Sequence, residues 1–208
     1  MFKAFFVFRP LNWHTIHLFL NMDQEEQIRD LLVKCLKNSA LRIAYSAFAR
    51  KKAFKKGMHL REPGTVCRYC YFMISGVARG YYFRDRKEVT TSFCFEGDPV
   101  FSLESATRGV PAYETFEILE DAVIEMISFN DLFQLRQQFP EVEKMWLLSV
   151  EAYAIWLEER LYSLQFNDAK ERYALLIKKY PYIIQRVQLG YIASYLGITK
   201  ETLSRIRS

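Results

Sequence analysis

The sequence has few of the residues on which several common kinds of protein depend. Four cysteines in 208 residues are too few for a disulfide scaffold. A glycine-rich phosphate loop and a nucleophile elbow are both missing. A cupin-like β-barrel enzyme needs histidines paired on neighbouring strands, and none of the three histidines here is so placed. We therefore predict no enzyme activity, no catalytic residue, no metal and no cofactor, with a cupin-like enzyme as the alternative of a different class.

Long hydrophobic runs are missing as well. In the apolar stretch at the beginning of the chain, the longest unbroken run is residues 4–8, which ends before Arg9-Pro10. This run is far too short for a membrane span or a signal core. We expect no membrane partner and, with so few cysteines, a cytoplasmic protein. Because an amphipathic pattern with acidic residues begins at Met22, we expect residues 1–21 to be an N-terminal extension outside any domain.

Excess positive charge is confined to the last part of the sequence. Residues 166–208 contain eight Lys and Arg against three Asp and Glu, whereas residues 1–165 contain 21 of each. Because Lys and Arg neutralise phosphates, a neutral body with a basic final segment is typical of a nucleic-acid-binding unit attached to another domain. A solvated basic surface is the alternative.

The hydrophobic pattern divides the chain into helical and β regions. Apolar residues at helical spacing predict a helix over residues 23–37. Over residues 48–128, short aromatic and β-branched runs alternate with Gly and Pro turns, as in a β-barrel or jelly roll. Helices resume at Asn130, and Pro140 suits the first position of a long helix that ends near Gln165.

The long helix carries a wide apolar face. One stripe runs along it and three further residues widen that stripe: Val142, Met145, Ser149, Ala152, Trp156, Glu159 and Tyr162, with Leu148, Ile155 and Leu161 beside them. Such a face either packs in a core or pairs two protomers across a two-fold axis.

The last segment has the pattern of a helix-turn-helix. A helix is predicted over residues 169–179, before Pro181, and two short helices follow around the sequence LGIT at residues 196–199. Gly197 can adopt the left-handed conformation that lets the chain reverse, and the Thr199 hydroxyl can cap the second helix.

The outward side of that second helix has side chains suited to a DNA major groove. Arg can pair with guanine, Glu can accept a hydrogen bond from cytosine, and Thr or Ser can bind a phosphate. The predicted DNA-binding residues are Thr199, Lys200, Glu201, Thr202, Ser204 and Arg205. The alternatives are an ordinary solvated helix face and a protein-interaction module whose helix-turn-helix is vestigial.

Together these segments resemble the Crp/Fnr transcription regulators, and look most like the short members common in Bacteroidota. The resemblance covers residues 22–208 and is carried by YFMISGVARGYYF, ILEDAVIEMIS, AKERYALLIKKYP and IASYLGITKETLSRIR. It implies an α+β chain with three parts. These are a jelly-roll-like, cyclic-nucleotide-binding-type β-roll over residues 22–138, a dimerisation helix over residues 139–165, and a helix-turn-helix domain over residues 166–208.

The resemblance also implies partners and residue roles. A homodimer would bind double-stranded DNA, with a small-molecule effector in the roll and RNA polymerase as further partners. The effector would change how the long helices pair and so reset the spacing of the two recognition helices. The base-reading positions of the family fall on Lys200, Glu201 and Arg205, and Ser204 stands where some members use a serine.

The sensor half departs from the family's cyclic-nucleotide pattern. Members that bind a cyclic nucleotide hold its ribose with a Glu and its phosphate with an Arg, but DPVFSLESATRGVPAYETFEIL has Tyr113 and Glu114 where that Arg should be. Because Glu114 would repel a phosphate, we expect an empty or altered effector pocket around Ser102, Glu104, Tyr113 and Glu114. A cyclic-nucleotide-responsive regulator is the alternative, with Arg108 as the substitute cation.

Cys67 and Cys70 have the two-residue spacing of metal and redox pairs, and Fnr-type members carry an iron–sulfur cluster. Such a cluster needs four thiolates in one site. Residues three apart on a strand face opposite sides, and Cys35 and Cys94 lie far away in sequence. We therefore predict four ordinary buried cysteines.

Overall fold

The computed structural model describes residues 22–61 and 64–207 of the chain. These residues form nine helices and eight strands. The predicted N-terminal extension, residues 1–21, lies outside the described residues. None of the described helices combines the length and the apolar character needed to cross a membrane.

The elements follow one another as helices, then strands, then helices. The helices are α1 Met22–Lys37, α2 Ser39–Phe48, α3 Leu103–Arg108, α4 Phe129–Gln138, α5 Pro140–Phe166, α6 Ala169–Lys179, α7 Ile183–Arg186, α8 Leu189–Leu196 and α9 Lys200–Arg207. The strands are β1 Arg50–Phe54, β2 His59–Arg61, β3 Tyr69–Ser75, β4 Ala78–Arg84, β5 Lys87–Cys94, β6 Pro99–Val100, β7 Thr115–Ile118 and β8 Ala122–Ser128.

The strands build a β-roll of two four-stranded antiparallel sheets. Their orders are β1-β8-β3-β6 and β2-β7-β4-β5. Apolar side chains of both sheets form one core cluster, in which Met73, Ile118 and Ile124 are at most 1% exposed. The predicted β unit over residues 48–128 is confirmed, apart from the short helix α3 inside it.

Helix α2 is an element that the sequence pattern did not predict. Its N-terminus is capped by Asn38, whose Oδ1 accepts a hydrogen bond from the Leu41 amide at 3.0 Å. Leu41 and Tyr45, one turn apart, are buried between the helices and the roll. The Tyr45 hydroxyl donates to the buried Glu125 carboxylate of β8 at 2.7 Å, and Lys51 lies 3.6 Å from the same side chain. This polar contact fixes α2 on the sheet.

Helix α5 begins at Pro140 as predicted and ends at Phe166, one residue beyond the expected Gln165. The middle of the predicted apolar stripe faces inward, because Ser149, Ala152 and Trp156 line a cavity beside the roll. That part of the stripe is half-buried beside the protomer's own roll, which favours the core alternative for these three residues.

The helix-turn-helix has the predicted turn. Gly197 has φ of 68° and ends α8 in the left-handed conformation, where a residue with a Cβ is strained. The Ile198 amide donates to the Ala193 carbonyl at 3.0 Å, which closes the turn. The Thr202 amide donates to Thr199 Oγ1 at 3.2 Å, so the predicted cap of α9 is also present.

Candidate nucleic-acid interface and sensor cavity

Helix α9 presents one side to the protein interior and the other to solvent. Leu203 is 1% exposed and packs among the residues of α6 and α8, and Ile206 is half-buried. Among the predicted DNA-binding residues, Thr202 is half-buried and the others are exposed: Thr199, Lys200, Glu201, Ser204 and Arg205. The structure therefore brings all six together on α9 and the turn before it, with Arg205 in the last turn of the helix.

Contacts within α9 hold several of these side chains near the helix N-terminus. Arg205 Nη2 lies 3.4 Å from Thr202 Oγ1, which in turn lies 3.2 Å from Thr199 Oγ1. The backbone N–H of Glu201 and the Thr199 hydroxyl donate to the Glu201 carboxylate and lower the pKa of Glu201. A carboxylate that stays ionised remains an acceptor only, which suits the amino group of cytosine.

The helix-turn-helix is docked against the roll. Ser194 Oγ in α8 accepts a hydrogen bond from the Thr90 amide of β5 at 3.0 Å and donates to the Glu88 carbonyl at 3.2 Å. The rings of Phe93 and Tyr195 lie 5.3 Å apart across the same contact. We call this contact of α8 with strands β4 and β5 the docking seam.

Arg79 lies buried in the docking seam, with 1% of its side chain exposed. Its Nη2 lies 2.5 Å from Glu88 Oε2 and 2.6 Å from Glu117 Oε2. Its guanidinium carbon lies 4.2 Å from the ring centre of Tyr81 in the roll and 3.6 Å from that of Tyr191 in α8. A cation held between two aromatic faces therefore joins the two units.

The docking seam also contains unsatisfied polar atoms. Among the described residues, Arg79 Nη1 and Thr90 Oγ1 are the buried side-chain nitrogen and oxygen atoms without a hydrogen-bond partner. Each such atom costs about 1–3 kcal/mol relative to a hydrated one. Because opening the seam would let water reach both atoms, part of the cost of undocking is offset.

Arg186 of α7 joins the two units at a second place. Its guanidinium pairs with Glu96 Oε1 at 2.6 Å and with Glu120 Oε1, both carried by loops of the roll. These carboxylates raise the pKa of Arg186, and Arg186 in turn lowers the pKa of Glu96. Phe95 of the roll stacks on Tyr180 of the helix-turn-helix unit, with ring centres 4.7 Å apart.

Replacing Arg186 by alanine should loosen the docked unit. Because the three side chains are partly exposed, screening limits the loss to about 1–2 kcal/mol of stability, or a fall in Tm of about 2–8 °C. Hydrogen exchange of the α8 amides should accelerate. The matched control is Arg136→Ala, since Arg136 pairs with Glu143 at 2.6 Å away from the seam. Unchanged α8 exchange in Arg186→Ala would contradict the role given to this contact.

A cavity of about 350 Å³ lies where the roll, α5 and the helix-turn-helix unit meet. Thr91, Phe93, Phe101, Glu114 and Phe116 line it from the roll, Ser149, Ala152, Tyr153, Trp156 and Leu157 from α5, and Lys179, Tyr180 and Tyr195 from the helix-turn-helix unit. Its size is at the lower end of the range for small-molecule sites, and its walls are mostly apolar.

Charged side chains of both signs line this cavity, with Glu114 and Asp98 on one side of the balance and Lys179 on the other. Burial raises the pKa of Glu114, while a hydrogen bond from Thr91 Oγ1 to Glu114 Oε2, at 3.2 Å, and the charge of Arg61 act in the opposite direction. Burial lowers the pKa of Lys179 to about 8, although Asp98 and Glu159 favour its charged form. Burial therefore favours the neutral form of both groups, while their charged neighbours and Thr91 favour the charged forms.

Comparison with known proteins links this arrangement to regulators. No family model matches the chain. The fumarate nitrate reduction regulatory protein of Klebsiella oxytoca is 26% identical, over 76% of this chain and 67% of that protein. The chain thus matches about two thirds of the length of this curated relative.

Two solved structures have the same fold. FixK2 of Bradyrhizobium japonicum has a TM-score of 0.65 and 19% identity, over 76% of this chain and 82% of that one. A putative transcriptional regulator of the crp/fnr family from Eubacterium rectale has a TM-score of 0.63 and 18% identity, over 84% of this chain and 83% of that one. The chain is therefore similar to Crp/Fnr family regulators in sequence and in fold. This similarity confirms the resemblance, the α+β fold class with its β-roll, and the prediction of transcription regulation.

One of the four predicted pocket residues lines the cavity, and that residue is Glu114. The other three do not line this cavity, and their part in an effector site stays a prediction. Ser102 is buried and lies immediately before α3. Its carbonyl accepts a hydrogen bond from the Ala106 amide of that helix. The formation of α3 turns Glu104 outward, and Tyr113 is 84% exposed in the following loop.

Arg108 and Arg61, the arginines near the predicted pocket residues, are not arranged for a cyclic phosphate. Arg108 is exposed and pairs with Glu104 at 3.0 Å. Arg61 is buried, but its guanidinium donates to the backbone carbonyls of Thr65 and Glu114. A phosphate would lie beside the Glu114 carboxylate and lack a forked donor.

The four cysteines are all free and buried, as predicted. Burial raises the pKa of Cys67 and of Cys70, which keeps both as neutral thiols. In the part of the chain that the structure describes, His, Cys, Asp and Glu side chains form no group of three that could hold a metal ion. The four thiols therefore do not fit the ligand set of an iron–sulfur cluster.

Sequence reasoning missed Thr91, Tyr153 and Lys179 as cavity residues. They lie on β5, α5 and α6, which are far apart along the chain. No local motif marks such residues, because only the packing of the three elements brings them to one space.

Proposed function

We propose that this regulator binds double-stranded DNA as a homodimer, with helix α9 of each protomer in the major groove of one half-site. The observation that carries the proposal is the exposed polar side of α9, where Lys200 and Glu201 lie at a capped helix N-terminus and Ser204 and Arg205 follow one turn later. A helix N-terminus with exposed Lys, Arg and hydroxyl side chains suits both phosphates and base edges.

An exposed apolar seam on α5 supports the homodimer. It repeats in steps of three and four residues, the spacing of a coiled coil, and meets the cavity only at Leu157: Leu147, Val150, Ala154, Leu157, Leu161 and Leu164. Leu147, Leu157, Leu161 and Leu164 are 44–56% exposed in the single chain. An unpaired stripe of this length on a long helix favours pairing with its own copy.

The cavity gives the dimer a means of regulation. An effector there would contact the roll, α5 and the helix-turn-helix unit at once, and so shift the population between docked and released placements of α9. In this proposal residues 22–138 are the sensor, residues 139–165 the dimerisation helix and residues 166–208 the DNA-binding domain. The protein acts in the cytoplasm without catalysis, and RNA polymerase is a further partner.

Selection from a random duplex library tests this function. The purified protein should retain DNA fragments that share a two-fold symmetric motif, with half-sites about one helical turn apart. Binding should weaken steeply with salt because each protomer neutralises several phosphates. Retention of no fragment above background would contradict DNA binding and favour a protein-interaction module.

Replacing Lys200 by alanine should weaken binding to every duplex by a similar factor. Lys200 is exposed, and its stem lies so close to Gly190 of α8 that a Cβ there would be 2.5 Å from Lys200 Cε. From this position we expect it to reach a phosphate and not a base. The slope of log affinity against log salt should fall by about one unit per protomer. A loss confined to the preferred sequence would assign Lys200 to base reading instead.

A further inference from the structure

The cavity between the roll, α5 and the helix-turn-helix unit has the chemistry of a site for an organic cation. We propose that it takes a small aromatic amine, with the ammonium group on the Glu114 carboxylate and the ring among the aromatic side chains of the wall. This assignment rests on the proposed function, in which the cavity holds the effector, and names the ligand class.

Glu114 is the group that selects a cation. Among the described residues, the side-chain hydrogen bond to its carboxylate comes from a neutral hydroxyl, Thr91 Oγ1, at 3.2 Å. The nearby Arg61 guanidinium donates to backbone carbonyls and does not bind the carboxylate directly. A carboxylate with several lone pairs facing a cavity is an acceptor for the N–H groups of an ammonium ion.

The walls favour an aromatic ligand that carries this charge. Phe93, Phe101 and Phe116 line the cavity from the roll, and Tyr153 and Trp156 from α5. The last two rings are stacked, with centres 5.6 Å apart and an angle of 25° between planes. Aromatic faces attract both an apolar ring and a cation, whereas an anion gains nothing from them.

Lys179 is the feature that would favour an anion, and its surroundings argue against that choice. Asp98 and Glu159 both act on Lys179 and favour its charged form. A ligand anion would have to compete with these two carboxylates, whereas an ammonium ion at Glu114 competes with a hydroxyl group.

The same site can influence the DNA-binding unit. Lys179, Tyr180 and Tyr195 of that unit are part of the cavity wall, and Tyr195 also contacts Phe93 in the docking seam. An amine in the cavity therefore touches the roll and the docked unit together, so its binding free energy depends on how the two are placed.

Three probes with one ring system and different charges test the ligand class. Isothermal titration of the full chain should give saturable binding of tryptamine. Neutral indole and indole-3-acetate should each bind at least about tenfold more weakly than tryptamine. Tighter binding of the acid would overturn the proposal and point to Lys179 as the selecting group. Equal binding of all three, or of none, would also overturn it.

Variants then test the role of Glu114. Glu114→Gln keeps the size of the side chain. It should weaken the binding of tryptamine by about tenfold or more and leave the affinity for indole unchanged. Glu104→Gln is the control, because Glu104 lies outside the cavity and its side chain is 48% exposed. Ala152→Trp should fill the cavity from α5 and abolish binding of both probes with the carboxylate intact. Wild-type affinity of Glu114→Gln for tryptamine would contradict the assignment.

DNA binding by the same preparation separates this inference from the proposed function. Tryptamine should change the affinity of the wild-type protein for its selected duplex, and should not do so for Glu114→Gln. A protein that binds the duplex but not tryptamine overturns the ligand class and leaves the proposed function standing. A protein that binds tryptamine through Glu114 but no duplex supports the ligand class and overturns the DNA-binding function.

Discussion

Replacing Leu157 by glutamate should convert the dimer into a monomer and weaken binding to a two-half-site duplex by at least about 100-fold. Leu157 is 44% exposed in the single chain and lies in the middle of the coiled-coil seam on α5. In a dimer the new carboxylates would face each other in an apolar interface, which opposes pairing. A monomer holds one half-site at a time and loses the effective concentration that links the two.

Sedimentation velocity and DNA titration at one protein concentration measure both effects. The control is Ile43→Glu, because Ile43 is 73% exposed on α2 and lies outside the seam. It should remain dimeric and bind DNA normally. Trp156→Ala tests the other face of α5. If Trp156→Ala dissociates the protein while Leu157→Glu remains a dimer, then the stripe predicted from the sequence is the pairing surface after all.

Replacing Arg205 by alanine should remove sequence preference as well as affinity. If Arg205 makes a bidentate contact to a guanine, its loss costs about 1–3 kcal/mol at each half-site, and a dimer loses that contact twice. The preference should relax at one base pair per half-site. Arg205 is exposed and its guanidinium lies 3.4 Å from Thr202 Oγ1, so it can turn toward DNA without breaking a strong contact.

The measurement compares a preferred with a scrambled duplex across a salt series. The matched control is Arg207→Ala, because Arg207 is an exposed arginine in the last turn of the same helix. It should weaken both duplexes alike. If Arg205→Ala leaves the ratio of the two affinities at its wild-type value, then α9 does not read bases through Arg205.

Local signals predicted the elements that depend on local chemistry. Pro140 begins α5 because its ring suits the first helical position and its missing N–H has no partner there. Gly197 and Thr199 make the turn and the cap of the helix-turn-helix because their conformational and hydrogen-bonding properties act within a few residues. These positions need no information from the rest of the chain.

Other elements depend on partners that are distant in sequence. Helix α2 was missed because its burial of Leu41 and Tyr45 is completed by β8 and by the helices around it. The sequence left the role of the apolar face of α5 open for a similar reason. An apolar helix face indicates burial, but the surface that buries it is set by where the roll and the helix-turn-helix unit lie.

The sequence by itself determined the order of the parts, the long helix and the helix-turn-helix. It also determined the excess of basic residues over residues 166–208. Each of these follows from spacing or composition within a short segment. Only the tertiary structure decided what the parts do to one another. It placed Arg79 between Tyr81 and Tyr191, joined Arg186 to two carboxylates of the roll, and put Glu114 in a cavity with Lys179. Such contacts join residues separated by up to about half the chain, and their energies depend on burial and distance, which exist only once the chain has folded.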